Sequence, residues 1–291
     1  MNFIKAHNLA CPIDGAQLEV HEKQLICENG HVFDIARQGY VNLLPVQHKR
    51  SKQPGDSKAM VLARTHFLNS GIYEAIANKL NELVHTQITG EKETCFLDAG
   101  CGEGYYFDAL LNYLREKMGI HDLSFVGLDI SKEAIVQASK RNKQISWVVG
   151  TNRKPPVAEK SIDIILCLFG FLSVPGFKKI LKPGGKIIVV DPGPEHLKEL
   201  REIIYPEIKK SDQVGSLQTE KTGFSLINSE ALQFKVNITN NEQINNLLIM
   251  TPHFYRASKQ GRKVACNLQQ LDLTVDVLFS VLEKNQEAVR G

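Results

Sequence analysis

Residues 96–106 read Phe-Leu-Asp98-Ala-Gly100-Cys-Gly102-Glu-Gly104-Tyr-Tyr106. An apolar run ends in an acid, and three glycines follow at alternate positions before a helical pattern begins. Glycine lacks a Cβ and tolerates positive φ, so such a loop lets backbone come close to a ligand. In open α/β sheets, ligands sit at the carboxyl ends of the strands, where this loop falls. A dinucleotide fingerprint, Gly-x-Gly-x-x-Gly, would cradle a pyrophosphate at a helix N-terminus. The spacing here is Gly-x-Gly-x-Gly and departs from it.

That spacing resembles motif I of S-adenosylmethionine-dependent methyltransferases. The cofactor has no pyrophosphate; its sulfonium and amino-acid part lie across a glycine-rich turn. Asp129 ends the next expected strand, in Val-Gly-Leu-Asp129-Ile-Ser131, and an acid there accepts both ribose hydroxyls. Asp98 either binds the cofactor amino group or supports the loop. Loop support is the expectation, with Asp129 making the direct contact. Asp163 then opens a strand, followed by a helix, Lys182-Pro-Gly184-Gly185 and another strand, an order typical of the class I methyltransferase domain. The alternative is an α/β domain that binds no cofactor.

A second constellation lies near the N-terminus. Cys11-x-x-Asp14 and Cys27-x-x-x-His31 have the outline of a zinc site, with two ligand pairs on two tight turns closing a tetrahedral shell. Residues 1–40 hold too little apolar content for a core of their own, so they need a staple or a larger neighbour. Asp14 stands where a third soft ligand is expected, and a site with one fewer thiolate binds zinc more weakly or less selectively. The other reading leaves Cys11 and Cys27 as free thiols.

The basic cluster His48-Lys49-Arg50-Ser51-Lys52 is either a solvated loop or a phosphate-binding one. The whole-chain net charge of +3 is too small to prove a polyanionic partner. No apolar run reaches the roughly 20 residues of a membrane helix, and Met-Asn-Phe-Ile-Lys-Ala-His lacks a signal-peptide core. A cytoplasmic protein is expected. Cys95, Cys101 and Cys167 fall in or beside expected strands and read as small apolar core residues.

The elements that must position these groups alternate from Tyr73 onward. Ser57–Phe67 reads as a helix with Ser57 as N-cap. Cys95–Asp98, Ser124–Leu128, Ser146–Val149, Ile162–Leu168 and Lys186–Val190 read as strands. Tyr106–Lys117 and Lys132–Arg141 read as helices between them. The alternation implies a doubly wound parallel sheet. Farther on, Phe224–Ile227 and Leu232–Ile238 look like strands, and Gln243–Leu248 and Leu271–Glu283 like helices. The chain divides into residues 1–40, a connector over 41–72 and a catalytic domain over 73–291.

Between these motifs lie Phe33-Asp34-Ile-Ala-Arg-Gln-Gly39-Tyr40-Val41-Asn42-Leu43-Leu44-Pro45, then Pro54-Gly55-Asp56-Ser57, and later Pro192-Gly193-Pro194-Glu-His196-Leu197. Their order resembles the RlmA family, the guanine-N1 methyltransferases of large-subunit (23S) ribosomal RNA. The resemblance implies an α/β, Rossmann-like class I methyltransferase domain behind a small zinc-ribbon-like module for RNA recognition. It implies zinc at Cys11, Asp14, Cys27 and His31. It places the cofactor S-adenosyl-L-methionine against Tyr73, Asp98, Gly100, Gly102, Gly104, Tyr106, Phe107, Asp129 and His196. It also suggests a homodimer. Members often carry proline after the fourth strand, where this chain has Phe169-Gly170-Phe171.

The implied reaction moves a methyl group to guanine N1 in a ribosomal RNA hairpin by in-line displacement. Neutral N1 carries a proton that a base must remove; His196 and Asp56 are the polar candidates. N1 lies on the Watson–Crick edge, so the base must be unpaired or flipped out. His48, Lys49, Arg50 and Lys52 would meet phosphates, and Tyr40 would stack on a base or pack inside the protein. Two other functions compete: a small-molecule methyltransferase acting on a quinone or metabolite, and a non-catalytic RNA-binding or ribosome-assembly protein.

Overall fold

A computed structural model describes residues 4–48, 51, 54–88, 93–118, 123–205 and 223–285. The chain opens with three short antiparallel strands, β1 (Leu18–His21), β2 (Gln24–Cys27) and β3 (Val32–Asp34), paired in that order. Gly15 and Gly30 take positive φ in the two turns that carry the cysteines. This small sheet does find the larger neighbour it needs. Leu9, Cys11, Leu18, Leu25 and Cys27 are buried in one core with residues of the main sheet. Backbone bonds from Ala10 N to Pro156 O (3.0 Å) and Ala158 N to Asn8 O (2.8 Å) stitch the two together.

The next elements are β4 (Tyr40–Asn42), α1 (Lys58–Asn69) and α2 (Glu74–Gln87). Ser57 caps α1 as expected, its side chain accepting from Met60 N. Then follow β5 (Thr94–Ala99), α3 (Tyr105–Met118), β6 (Leu123–Asp129), α4 (Lys132–Arg141), β7 (Ser146–Val149), β8 (Ile162–Leu168), α5 (Val174–Ile180) and β9 (Leu181–Pro192). The last part holds α6 (Lys198–Ile204), β10 (Phe224–Ile238), α7 (Asn241–Met250), α8 (Pro252–Arg256), α9 (Lys259–Cys266) and β11 (Leu271–Lys284).

The eight-stranded sheet runs β10-β11-β9-β8-β5-β6-β7-β4. Its six strands from β9 to β4 pair in parallel, while β11 and β10 are antiparallel additions. The chain reverses its winding direction at β5, between β6 and β8. The glycine loop leaves β5 there, at the crevice that binds ligands in such sheets. Apolar residues of α1, α2, α3, α4, α6 and α7 cover one face. The N-terminal strands and α5 cover the other.

Two expectations change. Leu271–Lys284 is a strand, not a helix. Leu271, Leu273, Val275, Val277, Phe279 and Val281 alternate and are all buried in the helix-covered core, a period of two that the local apolar density obscures. Phe224–Ile238 is one strand rather than two, with a register shift between Leu226 and Asn228. Asp163 sits at the start of β8, where it accepts from Cys95 N (2.8 Å) and pairs with Lys182 (2.7 Å). This is the sheet end away from the glycine loop, so Asp163 is an anchor between strands.

Candidate cofactor cleft and metal site

The glycine loop needs its glycines for two different reasons. Gly100, Gly102 and Gly104 all take positive φ, at 93°, 56° and 83°. Gly100 and Gly102 line an open cleft of about 290 Å³. Gly104 instead packs inward, where a Cβ would lie 2.6 Å from the Trp147 ring. It immediately precedes α3, accepting from Asp108 N (2.9 Å), and is not among the residues lining the cleft.

Tyr73, Asp98, Tyr106 and Asp129 line the same cleft. Loop support falls to Asp129 rather than to Asp98. Asp129 supports the loop, accepting from Gly102 N (2.9 Å) and from Ser131 N (2.7 Å). Asp98 is 3% exposed, and its Oδ1 has no hydrogen-bond partner among the described residues. Burial, with the nearby Asp129 charge, pushes the Asp98 carboxyl up to about 8. Glu103 Oε1 and the Tyr106 hydroxyl are two more buried polar atoms without partners, on residues of the same cleft. Buried polar atoms are normally satisfied, so three orphans around one cleft mark groups waiting for a ligand. Four acids (Asp56, Asp98, Glu103 and Asp129) line it; Arg64 pairs with Asp56 and Arg141 with Glu103, which leaves Asp98 and Asp129 without an ion-pair partner among the described residues. That balance suits a cationic ligand bearing an amino group and hydroxyls, such as S-adenosylmethionine.

Phe107 does not reach the cleft. It is fully buried and packs on Phe125 and Trp147, with ring centroids at 4.7 and 6.4 Å. It belongs to the inward stripe of α3 with Leu110, Leu111 and Leu114, and Tyr105 lines the cleft instead.

His196 lies one layer behind. Asp276 N donates to its Nδ1 (3.3 Å), and its Nε2 lies 3.4 Å from the Tyr73 hydroxyl. With Nδ1 accepting, the neutral ring carries its proton on Nε2, which donates to Tyr73. Burial holds the ring down at about 4. Both nitrogens are engaged and His196 is not among the described residues that line the cleft, so the geometry has it anchor Tyr73. Pro192–Leu197 is pinned for this purpose: Gly193 N donates to Asp276 O (2.7 Å) and Glu195 N to Asp276 Oδ2 (2.9 Å). The other candidate base, Asp56, lines the cleft but is ion-paired with Arg64.

Arg64, Glu103, Leu68 and Met250 are cleft residues that sequence reasoning missed, whereas Phe169 and Gly170, singled out after the fourth strand, also line the cleft. Arg64 had a signal in the neighbouring Pro54-Gly55-Asp56-Ser57, which braces the Asp129 turn. Ser131 Oγ donates to Asp56 O (2.8 Å), and a Cβ on Gly55 would lie 2.8 Å from that of Ser131. Met250, from α7, had none.

The expected RNA residues fare differently. Tyr40 is 6% exposed and buried in the main core, so it packs and does not stack on a base. His48 ends a short 3₁₀ turn, Val46–His48. Lys49, Arg50 and Lys52 lie outside the described residues.

The four expected metal ligands converge. One ligand atom each from Cys11, Asp14, Cys27 and His31 lies within 4.8 Å of all the others. His31 Nδ1 is 3.6 Å from Cys11 Sγ, 3.4 Å from Cys27 Sγ and 3.0 Å from Asp14 Oδ2, and Cys27 Sγ is 3.7 Å from Asp14 Oδ2. Zinc bonds of roughly 2.0–2.3 Å in a tetrahedron require separations of this size. The donor set therefore fits zinc.

Residues 9–52 match the zinc-ribbon family model described as RlmA, N-terminal, and residues 96–185 match a methyltransferase domain. Among curated proteins, the chain is 29% identical to the putative 23S rRNA (guanine-N(1)-)-methyltransferase YxjB of Bacillus subtilis, over 92% of this chain and 94% of that one. It is 33% identical to the 23S rRNA (guanine(748)-N(1))-methyltransferase of Streptomyces fradiae, over 66% of each chain. It is 32% identical to the putative 23S rRNA (guanine-N(1)-)-methyltransferase of Micromonospora griseorubida, over 66% of this chain and 68% of that one.

Proposed function

The chain belongs to the RlmA family of 23S ribosomal RNA guanine-N1 methyltransferases, and on that premise we propose how its residues divide the work. It is an S-adenosylmethionine-dependent enzyme that methylates guanine N1 in 23S ribosomal RNA. One observation carries this reading: an RlmA-type zinc ribbon stands in the same chain as an acidic glycine-loop cleft. A small-molecule methyltransferase needs only the second. A non-catalytic RNA-binding protein has no use for three unpartnered polar atoms in a cleft.

When bound, S-adenosylmethionine supplies an electrophilic methyl group on a sulfonium. Asp98 would receive its amino group, and Glu103, held by Arg141 through Oε2, would offer Oε1, with Tyr73 and Tyr106 offering hydroxyls. Asp129 holds the loop and retains lone pairs for ribose hydroxyls. The Tyr73 hydroxyl, accepting a hydrogen bond from His196 Nε2, is free to donate into the cleft. Transfer to N1 would leave the bonding pair on the cofactor's sulfur and release the N1 proton to solvent. Alignment along that line is the main task of the protein, since displacement needs near-attack geometry. The target guanine must be extruded or unpaired to expose N1.

We assign residues 1–40 to metal binding and RNA recognition, 41–72 to a connector that also walls the cleft, and 73–291 to catalysis. Zinc at Cys11, Asp14, Cys27 and His31 would hold the first of these together. His48, Lys49, Arg50 and Lys52 keep their proposed role at phosphates, supported by their charge. No helix among the described residues is long and apolar enough to cross a membrane. A cytoplasmic location rests on the ribosomal substrate, and a homodimer rests on family resemblance.

The test is mass mapping of 23S ribosomal RNA from cells with and without the protein. A single guanine should lose its N1 methyl group in the deletion. The purified chain should restore it on a hairpin transcript with labelled cofactor. Incorporation into a quinone and not RNA would favour the small-molecule reading.

A further inference from the structure

Between Glu242 and Asp272 the chain carries no acidic residue, but it carries Arg256, Lys259, Arg262 and Lys263. This stretch forms most of α7 and all of α8 and α9. Arg256, Lys259 and Lys263 are exposed, and none forms an ion pair among the described residues. Aromatic rings are interleaved with them. Tyr255 is 54% exposed and meets Phe254 edge-on at 5.3 Å, and the Arg262 guanidinium lies 5.7 Å from the Phe254 ring centre. Val264 on α9 is exposed as well, so Tyr255 does not stand alone as an apolar group among these unpaired cations.

Neighbouring acids do not cancel this charge. On α6, which packs on α9, Glu199 is bonded to Thr274 through N (2.8 Å) and Oγ1 (2.6 Å), leaving Glu202. Just before that helix, Glu195 is paired with Lys198. Arg201, also on α6, donates to Pro194 O (2.9 Å) and adds a further cation.

The location is as telling as the charge. Helix α8 starts two residues after Met250, which lines the cleft. Ala257 and Ala265 anchor α8 and α9 in the helix-covered core, whereas the N-terminal strands lie on the other face of the sheet. The zinc-bearing module therefore cannot account for RNA contacts on this side.

We propose that the outer surface of α8 and α9 is a second RNA-binding face. Arg256, Lys259 and Lys263 meet backbone phosphates of the RNA whose guanine enters the cleft, and Tyr255 stacks on an unpaired base. RNA fits better than an acidic peptide or a lipid surface, because the face adjoins the cleft that receives a base. This inference rests on the RNA-methylation reading.

The test uses the full chain and a fluorescent 23S ribosomal RNA hairpin transcript in an anisotropy titration over a range of salt. Replacing Arg256, Lys259 and Lys263 together by glutamine should weaken binding by at least about tenfold at physiological salt. It should also make the slope of log affinity against log salt shallower by about 2. Tyr255→Ala should weaken binding with little change in slope. Both variants should bind S-adenosylmethionine, measured by calorimetry, as the parent does, which also shows that they fold. Parent-like affinity and salt slope in the triple variant would overturn the proposal while leaving methylation intact. Binding to phosphatidylserine vesicles that the triple variant loses, with RNA affinity unchanged, would overturn it too. A parent chain that binds cofactor but neither binds nor methylates the hairpin would sink the functional reading and this face with it.

Discussion

Arg64 Nη2 donates to the Met250 carbonyl oxygen at 3.1 Å, joining residues 186 positions apart across the mouth of the cleft. The same guanidinium pairs with Asp56, whose backbone oxygen accepts from Ser131 beside the Asp129 turn. One side chain thus ties the connector, the end of α7 and the ribose-side turn together. Arg64→Ala should cost about 1–3 kcal/mol in stability, the range for a charged hydrogen bond and a stranded partner. It should also weaken S-adenosylmethionine binding by roughly tenfold, about 1.4 kcal/mol. Thermal melts and calorimetry measure the two effects. Unchanged cofactor affinity would show that Arg64 only braces the fold.

Asp98 gives a pH signature. In the unfolded chain its carboxyl ionises near the ordinary value of about 3.9. In the folded cleft it stays protonated up to about 8. Between those limits the native state binds the extra proton, so this group makes stability fall as pH rises. Asp98→Asn should remove that slope and raise the melting temperature of the cofactor-free protein most at pH 8. It should also weaken cofactor binding, because asparagine cannot ionise to pair with the cofactor's amino group. A variant no more stable than the parent at pH 8 would contradict the buried, unpartnered assignment.

His196 shifts the other way. Burial lowers its basicity to about 4, so between there and about 6.5 the unfolded chain binds the extra proton. Stability from this group is therefore full above about pH 6.5 and is lost as pH falls toward 4. His196→Ala should flatten that limb. The rate profile above pH 5 should keep its shape in the variant, while KM for cofactor rises because Tyr73 loses its anchor. Loss of an inflection near neutral pH would restore His196 as a base.

The metal site makes a compositional prediction. Cys27→Ser should abolish zinc retention measured by elemental analysis, and should loosen residues 1–40 first, seen as faster hydrogen exchange there. Asp14→Cys should hold zinc longer against a chelator, since a thiolate is the softer ligand. Equal metal release from the parent and both variants would show that the four groups hold no zinc.

Much of the site was legible because its signals are short. The glycine spacing, Asp129 after an apolar run, Ser57 and Ser131 before helices, and the paired ligands on tight turns each depend on a few neighbouring residues. Phe107 was also readable in principle: with Leu110, Leu111 and Leu114 it completes an inward stripe, which the comparison of motifs by position overrode. Tyr40 failed as a base-stacking residue for a similar reason, since its strand pairs with β7 as an interior-facing edge of the sheet.

What the sequence by itself determined is the class of chemistry: a glycine turn after a strand, an acid after the next, and a tetrad of metal ligands. Backbone conformation and ligand type decide these, and both are local. The tertiary structure decided which polar atom is left unpaired, which nitrogen of His196 carries the proton and which distant residues close the cleft. Those depend on burial and on hydrogen-bond partners such as Asp276 for His196 and Met250 for Arg64, contacts that exist only after the sheet has assembled. The same holds for Leu271–Lys284, whose residues form a strand because β9 and β10 are there to pair with it on both sides.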